Sequence, residues 1–255
     1  MNPPRLEACY FSDGSSTAWR WRRLAAVLTS SARLHCPDWH IHVVSLPWQR
    51  LPTPHGSDAH IANTQKLDYW NTLVQQATDG EQILLIDADT FITRPLDALW
   101  DLPFDLAYAV RTHFMHYTIN GGVIALRVSA RVRDFMARWA AENRAMLADA
   151  KYHRRWKEKY GGINQAALGA LLELHVHKDL GLHVLTVPCQ EWNCEESAWA
   201  QFDPHSTRIV HVKGRLRKAV FPSSIKHKQG ADVEPLVALW KAEEQRASAR
   251  REGAA

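Results

Sequence analysis

The sequence predicts a single α/β domain in which a mostly parallel central sheet is flanked by helices on both faces. Strand-like apolar runs alternate with helix-like segments through the first hundred residues, and this alternation is typical of parallel sheets. The chain has 255 residues, of which 46% are hydrophobic, so it can build a sizeable core. It contains no internal repeat and no linker long enough to divide it, and we therefore expect one domain over residues 1–255.

Three strands and two helices are expected in the first part of the chain. The strands cover residues 6–11, 39–46 and 83–86, which are rich in apolar side chains. The helices cover residues 19–34 and 63–78, and in the first of these the apolar positions recur at helical spacing. A Pro-rich loop at 47–58 joins the second strand to the second helix.

The second part of the chain is expected to add strands at 105–111, 121–127, 183–188 and 208–214, and helices at 129–147, 163–174 and 233–251. The last of these helices becomes polar towards its end. We therefore expect residues 245–255 to form a frayed tail.

Composition limits the classes of protein to consider. Lys and Arg number 31 against 27 Asp and Glu, for a net charge of +4, which permits an anionic ligand without requiring one. The four cysteines form no CxxC pair and are too few for a disulfide scaffold, so reduced cysteines in the cytoplasm are expected. The N-terminus lacks the apolar core of a signal peptide, and no stretch approaches 18 uncharged apolar residues, so we expect no membrane span.

Asp87 and Asp89 follow directly on the apolar strand 83–86, with one alanine between them. In an open α/β sheet, ligands bind beyond the carboxyl ends of the strands. Two carboxylates at that edge repel each other unless a cation lies between them, and hard oxygen ligands suit Mg²⁺ or Mn²⁺. The alternative is that one aspartate caps the turn before Pro95 and the other is solvated. The metal site is the favoured interpretation.

His211 offers a third ligand at the end of the late apolar strand. A neutral imidazole beside two carboxylates favours a borderline metal such as Mn²⁺ over Mg²⁺. Basic residues crowd the turn that follows, where they could neutralise a departing diphosphate; they are Lys213, Arg215, Arg217 and Lys218. A strand-end histidine followed by a solvated basic turn is an equally open interpretation.

Residues 151–160 alternate basic and aromatic side chains in the segment KYHRRWKEKY. Such a pattern can bind phosphates and stack on bases, which would suit an acceptor that carries phosphates, such as modified DNA or an anionic glycan core. A solvated helix or flap with buried aromatic faces is the favoured alternative.

Several segments together resemble the glycogenin-type, family 8 glycosyltransferases. In chain order they are QKLDYW (65–70), ILLIDADTFITRPLDALW (83–100), INGGVIALR (119–127), GGINQAAL (161–168) and HVKGRLRK (211–218). The resemblance covers roughly residues 6–220 and is strongest over 63–100. It implies a GT-A fold, which is a Rossmann-like sheet, and an enzyme that uses a nucleotide-sugar donor.

The resemblance also implies roles for individual residues. Asp87, Asp89 and His211 would bind Mn²⁺, with Mg²⁺ as the alternative. Lys66 would reach the donor, residues 10–13 would hold the nucleobase, and Asn120 with Gly121 would lie beneath the sugar. The full set expected to bind the donor is Tyr10, Phe11, Ser12, Asp13, Lys66, Asp87, Ala88, Asp89, Asn120, Gly121, Gly214, Arg217 and Lys218.

Two departures from the family pattern affect the expected chemistry. The family has Asp-Gln where this chain has Asn164 and Gln165, and an asparagine can bind a sugar hydroxyl but cannot act as a base. These two remain the expected catalytic residues. The family's closing Pro-Trp is also missing, so either Arg217 takes the phosphate-binding role in register or Lys218 takes it after a one-residue shift.

The predicted function is metal-dependent transfer of a hexose from a nucleotide sugar, a UDP-sugar by resemblance, to a hydroxyl acceptor with retention of configuration. A glycan, a small molecule or a protein is the expected acceptor. The alternatives are the same donor chemistry on a nucleic acid, a nucleotidyl- or phosphoryl-transfer enzyme that uses the same metal pair, and a non-catalytic module that binds nucleotide sugars or nucleic acid.

Overall fold

The computed structural model describes residues 2–12, 18–111, 118–221 and 232–252. The strands of this described part are β1 (Arg5–Ser12), β2 (His40–Pro47), β3 (Gln82–Ile86), β4 (Thr90–Ile92), β5 (Leu106–Val110), β6 (Ile119–Arg127), β7 (Val184–Pro188) and β8 (Ile209–His211). The helices are α1 (Ala18–His35), α2 (Asp58–Gln76), α3 (Ala130–Ala148), α4 (Ala150–Tyr160), α5 (Ile163–Glu173), α6 (Val176–Asp179), α7 (Cys189–Trp192), α8 (Gly214–Val220) and α9 (Glu234–Glu252).

Six strands form the central sheet in the order β2-β1-β3-β6-β5-β7. Neighbours β2, β1 and β3 run parallel, as do β5 and β7, whereas β6 runs antiparallel to both of its neighbours. The predicted single α/β domain with a mostly parallel sheet is confirmed. The six strands of this sheet form within one or two residues of the ends expected from the sequence.

Both faces of the sheet are covered by helices, and β3 shows why its sequence is apolar throughout. Ile83 and Leu85 pack into a core with α2, α3, α4 and α5, whereas Leu84 and Ile86 pack on the other face against α1. Side chains alternate between the faces of a strand, so a strand buried on both sides needs a continuous apolar run.

A second sheet of two strands, β4 and β8, was not predicted. Thr90 pairs with His211 and Ile92 with Ile209 in antiparallel register. Phe91 and Val210 pack in a third core formed with α1, α8 and α9. This small sheet fixes the position of the residues that follow β3 relative to the late histidine.

Three local predictions were wrong. Helix α2 begins at Asp58 rather than at residue 63. The basic segment after Gly214, expected as a turn, is the helix α8. The strand expected over residues 208–214 ends at His211. Helix α9 extends to Glu252, with Ala247 buried, and fraying of residues 245–255 stays a prediction.

All four cysteines are free and buried. Burial raises the pKa of Cys9, Cys189 and Cys194 to about 12 and that of Cys36 to about 11. These thiols are therefore protonated at neutral pH and pack as small apolar side chains.

The described helices include none that is both long enough and apolar enough to cross a membrane.

We expect Gly169→Ala to destabilise the fold by about 1–3 kcal/mol because it overpacks the core. A Cβ at Gly169 would overlap the ring of Tyr160, which is buried where α4 meets α5. In an exposed helix the same change would stabilise by about 1 kcal/mol, so the sign of the effect is diagnostic. Urea unfolding of the proteins with Gly169 and with Gly169→Ala, each in the wild-type and Tyr160→Leu backgrounds, measures this free energy. If the penalty is the same in both backgrounds, the Tyr160 ring is not its cause.

Candidate active site

Asp87 and Asp89 are held in the tight connection between β3 and β4. The backbone N–H of Asp87 donates to the carbonyl of Gly122 on β6 (2.9 Å), and the Thr90 hydroxyl donates to the carbonyl of Asp87 (2.7 Å). The N–H of Val212, just after β8, donates to the carbonyl of Asp89 (2.7 Å). The connection is therefore tied to the central sheet on one side and to β8 on the other.

The structure brings the two aspartates and His211 together. The candidate ligand atoms of these three side chains all lie within 4.8 Å of one another. Nε2 of His211 is 3.2 Å from Oδ1 of Asp89 and 3.8 Å from Oδ2 of Asp87. Thr90 is the β-sheet partner of His211. The pairing of β4 with β8 therefore brings together residues that are over a hundred positions apart in the chain.

The protonation of His211 indicates that this cluster suits a cation. Nδ1 lies 3.1 Å from Oδ1 of Asn193; an amide oxygen only accepts, so Nδ1 carries the proton and Nε2 presents a lone pair to the carboxylates. Burial and the charge of Lys213 lower the pKa of His211 to about 3, so the ring stays neutral despite the acidic neighbours.

A lone pair that faces two carboxylate groups is unfavourable by itself. With a divalent ion between them, the two carboxylates and the imidazole would instead act as three ligands. Two carboxylates and one imidazole fit Mn²⁺ well and Mg²⁺ less well. Asn193, which is fully buried, fixes the ring orientation in the way that outer-shell partners of metal-bound histidines do.

Gly122 allows the side chains of Asp87 and His211 to lie close to each other and to strand β6. A Cβ at this position would lie 2.9 Å from Oδ2 of Asp87 and 2.9 Å from Cε1 of His211. Both separations are shorter than a carbon side chain tolerates, so any larger residue would push the ligands apart.

A cavity of about 450 Å³ opens in front of the two aspartates. Its aromatic walls come from β1, α1 and the loop after β2, with the Phe11 and Trp48 rings meeting edge to face at 5.8 Å. The lining residues are Cys9, Tyr10, Phe11, Trp21, Trp48, Asp58, Ala59, Ala62, Asn63, Lys66, Asp87, Ala88, Asp89 and Arg217. The cavity thus combines flat apolar walls with an acidic and basic floor, as expected of a site for a charged ligand that carries a ring.

Two cations flank the aspartates at the floor of this cavity. The Lys66 ammonium pairs with Oδ1 of Asp87, and the Arg217 guanidinium pairs with Oδ2 of Asp89. Burial would raise the pKa of Asp87, but the charge of Lys66 and its hydrogen bond to the carboxylate bring that pKa below its ordinary value. Asp87 is therefore held as a carboxylate, which is the form that binds metal.

Arg217 rather than Lys218 faces this cavity in the described part of the chain. Its guanidinium also donates to the carbonyl of Val212 (2.9 Å) and lies 5.1 Å from the ring centre of Trp21. Lys218, the next residue of α8, is exposed. Of the two alternatives that the sequence left open, the in-register arginine is the one placed at the aspartates.

Three solved structures resemble the chain over almost its whole length. A glycosyltransferase involved in glycosylation of the major capsid of PBCV-1 matches with a TM-score of 0.54 and 10% identity, covering 96% of this chain and all of that one. The galactosyltransferase LgtC, solved with donor and acceptor sugar analogues, matches with a TM-score of 0.56 and 12% identity, covering 96% and 95%. The glycosyltransferase GlyE of Streptococcus pneumoniae matches with a TM-score of 0.58 and 14% identity, covering 95% of this chain and 60% of that one.

The chain has the GT-A fold. At 10–14% identity the likeness is one of architecture, and it confirms the fold predicted from the sequence. No protein-family model and no curated protein sequence matches the chain.

Within this GT-A fold, Gly121 and Gly122 lie between the cluster of Asp87, Asp89 and His211 and the two predicted catalytic residues. Successive residues of a strand face opposite sides: Gly122 adjoins Asp87 and His211, whereas a Cβ on Gly121 would lie 3.3 Å from Nδ2 of Asn164. Gln165 Oε1 accepts from the N–H of Gly121 (3.4 Å), and its Nε2 donates to the carbonyl of Tyr160 (2.8 Å). Strand β6 therefore connects the two parts of the site.

A second cavity, of about 480 Å³, opens on the Gln165 side. Glu195, 3% exposed, lies at its wall with Oε1 2.7 Å from Nε of Arg111 and Oε2 3.1 Å from Nζ of Lys213. Burial would raise the pKa of Glu195, yet Lys213 and Arg111 lower it to about 2. This buried carboxylate, missed in the sequence, is charged throughout the physiological range.

The other predicted site residues differ in where they lie. Asn120 is buried, and its side chain accepts from the N–H of Gly122 (3.1 Å) and points at the Cys189 sulfur rather than into either cavity. Ser12 is exposed at the end of β1, and Gly214 starts α8 with a positive φ of 51°. Asp13 lies outside the described residues.

The basic and aromatic segment 151–160 forms the helix α4. Trp156 and Tyr160 are buried, while Lys151, Arg154, Arg155, Lys157 and Lys159 are exposed. The Trp156 and Tyr160 rings are thus packed in the core, with Arg155 and Lys159 lying over them, and Tyr152 is half-buried. The favoured interpretation, a solvated helix with buried aromatic faces, fits this arrangement.

Proposed function

We propose that the protein is a metal-dependent glycosyltransferase that moves a hexose from a nucleotide sugar, a UDP-sugar, to a hydroxyl acceptor with retention of configuration. The observation that carries the proposal is the convergence of Asp87, Asp89 and His211 at the floor of an aromatic-walled cavity in a GT-A fold. The two aspartates lie beyond the carboxyl end of β3, where ligands bind in open α/β sheets.

The lining of the first cavity supports a nucleotide sugar as the donor. Tyr10, Phe11, Trp21 and Trp48 offer aromatic surface for a base, while Asp58 and Asn63 offer polar groups for a ribose. A divalent ion, Mn²⁺ or Mg²⁺, would balance charge on the diphosphate leaving group when bound by Asp87, Asp89 and His211. Arg217 and Lys66 add positive charge on the same floor.

The second cavity supports an acceptor on the far side of β6. Gln165 can hydrogen-bond a sugar hydroxyl, and Asn164 cannot serve as a base or form a glycosyl ester. In the proposed step the bond from the anomeric carbon to the phosphate oxygen breaks and the acceptor oxygen bonds to the same face. The acceptor proton then passes to the departing phosphate, so no protein base is required.

The acceptor we propose is a glycan, a small molecule or a protein hydroxyl. The burial of Trp156 and Tyr160 leaves the half-buried Tyr152, whose hydroxyl donates to Glu142, as the one ring of α4 that is partly open to a base, which disfavours the nucleic-acid alternative. The four free thiols suit a reducing compartment, and we place the enzyme in the cytoplasm.

A donor screen tests the proposal. The chain is incubated with a panel of nucleotide sugars and Mn²⁺, and free nucleoside diphosphate and glycosylated products are measured by mass spectrometry. We expect metal-dependent release from one donor class that stops when a chelator is added. Binding without turnover across the panel would indicate the non-catalytic module, release of pyrophosphate would indicate nucleotidyl transfer, and a glycosylated DNA oligonucleotide would indicate the nucleic-acid acceptor.

A further inference from the structure

Three histidines meet on the side of the molecule where the loop after β2 and the start of α2 pack against α4. His55 lies in the loop, His60 in the first turn of α2, and His153 on α4. One ring nitrogen of each lies within 4.8 Å of the others. The ring centres form a nearly equilateral triangle with sides of 4.9, 5.0 and 5.0 Å, and the ring planes are inclined to one another by 72–89°.

Two buried ring nitrogens of this triangle lack a hydrogen-bond partner in the described part of the chain. Nδ1 of His60 and Nε2 of His153 are buried and have no hydrogen-bond partner within the described residues, and His153 is only 2% exposed. Nε2 of His55 is 2.9 Å from the carbonyl oxygen of Met146; it must be the donor there, so Nδ1 keeps its lone pair. A buried polar atom without a partner is costly, and two occur side by side in this cluster.

The arrangement matches the requirements of a tetrahedral metal. Imidazole nitrogens at ~2.1 Å from Zn²⁺ in tetrahedral geometry place the ring centres roughly 5 Å apart, as observed here. The histidine triangle contains no carboxylate, which favours Zn²⁺ over Mg²⁺ or Mn²⁺.

We propose that His55, His60 and His153 bind a Zn²⁺ ion, with water as the fourth ligand. This site is separate from the aspartates and independent of the proposed function. Lys157, one turn along α4 from His153, is the nearby cation that opposes metal binding; its side chain is exposed and can extend into solvent.

The zinc would brace one wall of the 450 Å³ cavity in front of the aspartates. Residues 58, 59, 62 and 63 of α2 line that cavity, and His60 lies among them. The same loop is already tied to the end of α3, where the hydroxyl of Thr53 donates to the carbonyl of Leu147 (2.8 Å). A metal ion would join the loop and α2 to α4 as well, because each supplies a ligand.

Zinc binding to the whole chain tests the site. We use the Asp89→Asn variant throughout, so that the acidic cluster does not contribute, and remove metal by dialysis against a chelator. Competition with a chromophoric chelator should then show one tight equivalent of Zn²⁺, and Co²⁺ in its place should give the intense visible absorption of tetrahedral coordination. Adding His60→Gln should abolish both signals and also the rise in Tm that Zn²⁺ produces.

His177→Gln is the matched control. His177 also has a buried ring nitrogen without a partner in the described part of the chain, but its ring faces one other histidine, His175, at 6.2 Å. The His177→Gln variant should still bind one tight equivalent of Zn²⁺. If His60→Gln alters the circular dichroism spectrum, His55→Gln, whose residue lies in a loop, replaces it. Absence of a tight equivalent in the parent, or its retention in the His60 and His55 variants, would overturn the proposal and leave a metal-free cluster of packed imidazoles.

Discussion

Asp89→Asn is expected to lower kcat/KM for sugar transfer by about a thousandfold, since metal stabilisation of a leaving group contributes several kcal/mol and each 1.4 kcal/mol is tenfold. Asp89 is 7% exposed, with Oδ1 beside His211 and Oδ2 paired with Arg217. The amide keeps the shape of the side chain but loses the charge and one ligand oxygen. It also leaves the Arg217 guanidinium without its carboxylate.

Release of nucleoside diphosphate across a Mn²⁺ titration measures this effect, and the variant should need far more metal to reach half of its residual rate. Asp38→Asn is the control, because Asp38 is exposed in the turn between α1 and β2 and the change removes the same charge. Equal rates and equal metal dependence for Asp89→Asn and wild type would show that the carboxylate pair does not bind the ion.

The fold could be predicted because its central strands carry a strong local signal. Residues 83–86 are apolar without interruption since β3 is covered on both faces, and helix α3 shows a regular apolar stripe. The two-stranded sheet of β4 and β8 could not be predicted, because each strand has three residues and their pairing joins segments over a hundred residues apart. Helix α8 was missed for a related reason: its basic residues read as a solvated turn, and the apolar Leu216 and Val220 that hold it in the third core are few.

Within the candidate site, the acidic pair was predictable from the sequence, whereas the residues around it were not. Two carboxylates at the end of a buried strand are unusual enough to indicate a cation. Asn193 and Glu195 follow α7 in a segment without a motif, and their importance depends on contacts with His211 and Arg111 that only the fold creates. The histidine triangle was hidden in the same way, since His55 and His60 lie almost a hundred residues from His153 and fourteen histidines make each one unremarkable.

Gly122→Ala is expected to reduce sugar transfer by about a hundredfold, because misplacing a catalytic group by ~1 Å costs that much. The added methyl would lie 2.9 Å from both Oδ2 of Asp87 and Cε1 of His211, and 3.1 Å from Nδ2 of Asn193. None of these can retreat easily: His211 is held by Asn193, and Asp87 is held by Lys66 and by its backbone bond to the Gly122 carbonyl. The ligands must therefore move apart, and the apparent affinity for Mn²⁺ should fall together with the rate.

Gly56→Ala is the matched control for this substitution. A Cβ there meets nothing within 4 Å, so the variant should retain wild-type activity and metal affinity. The comparison also separates two explanations for Gly122. If the glycine only eases the packing of β6, Gly122→Ala should lower the Tm while kcat/KM and Mn²⁺ affinity of the folded protein stay unchanged. If it makes room for the ligands, Mn²⁺ affinity must fall at temperatures where the variant is fully folded, and we expect this second result because the predicted clashes are with the side chains of Asp87, Asn193 and His211.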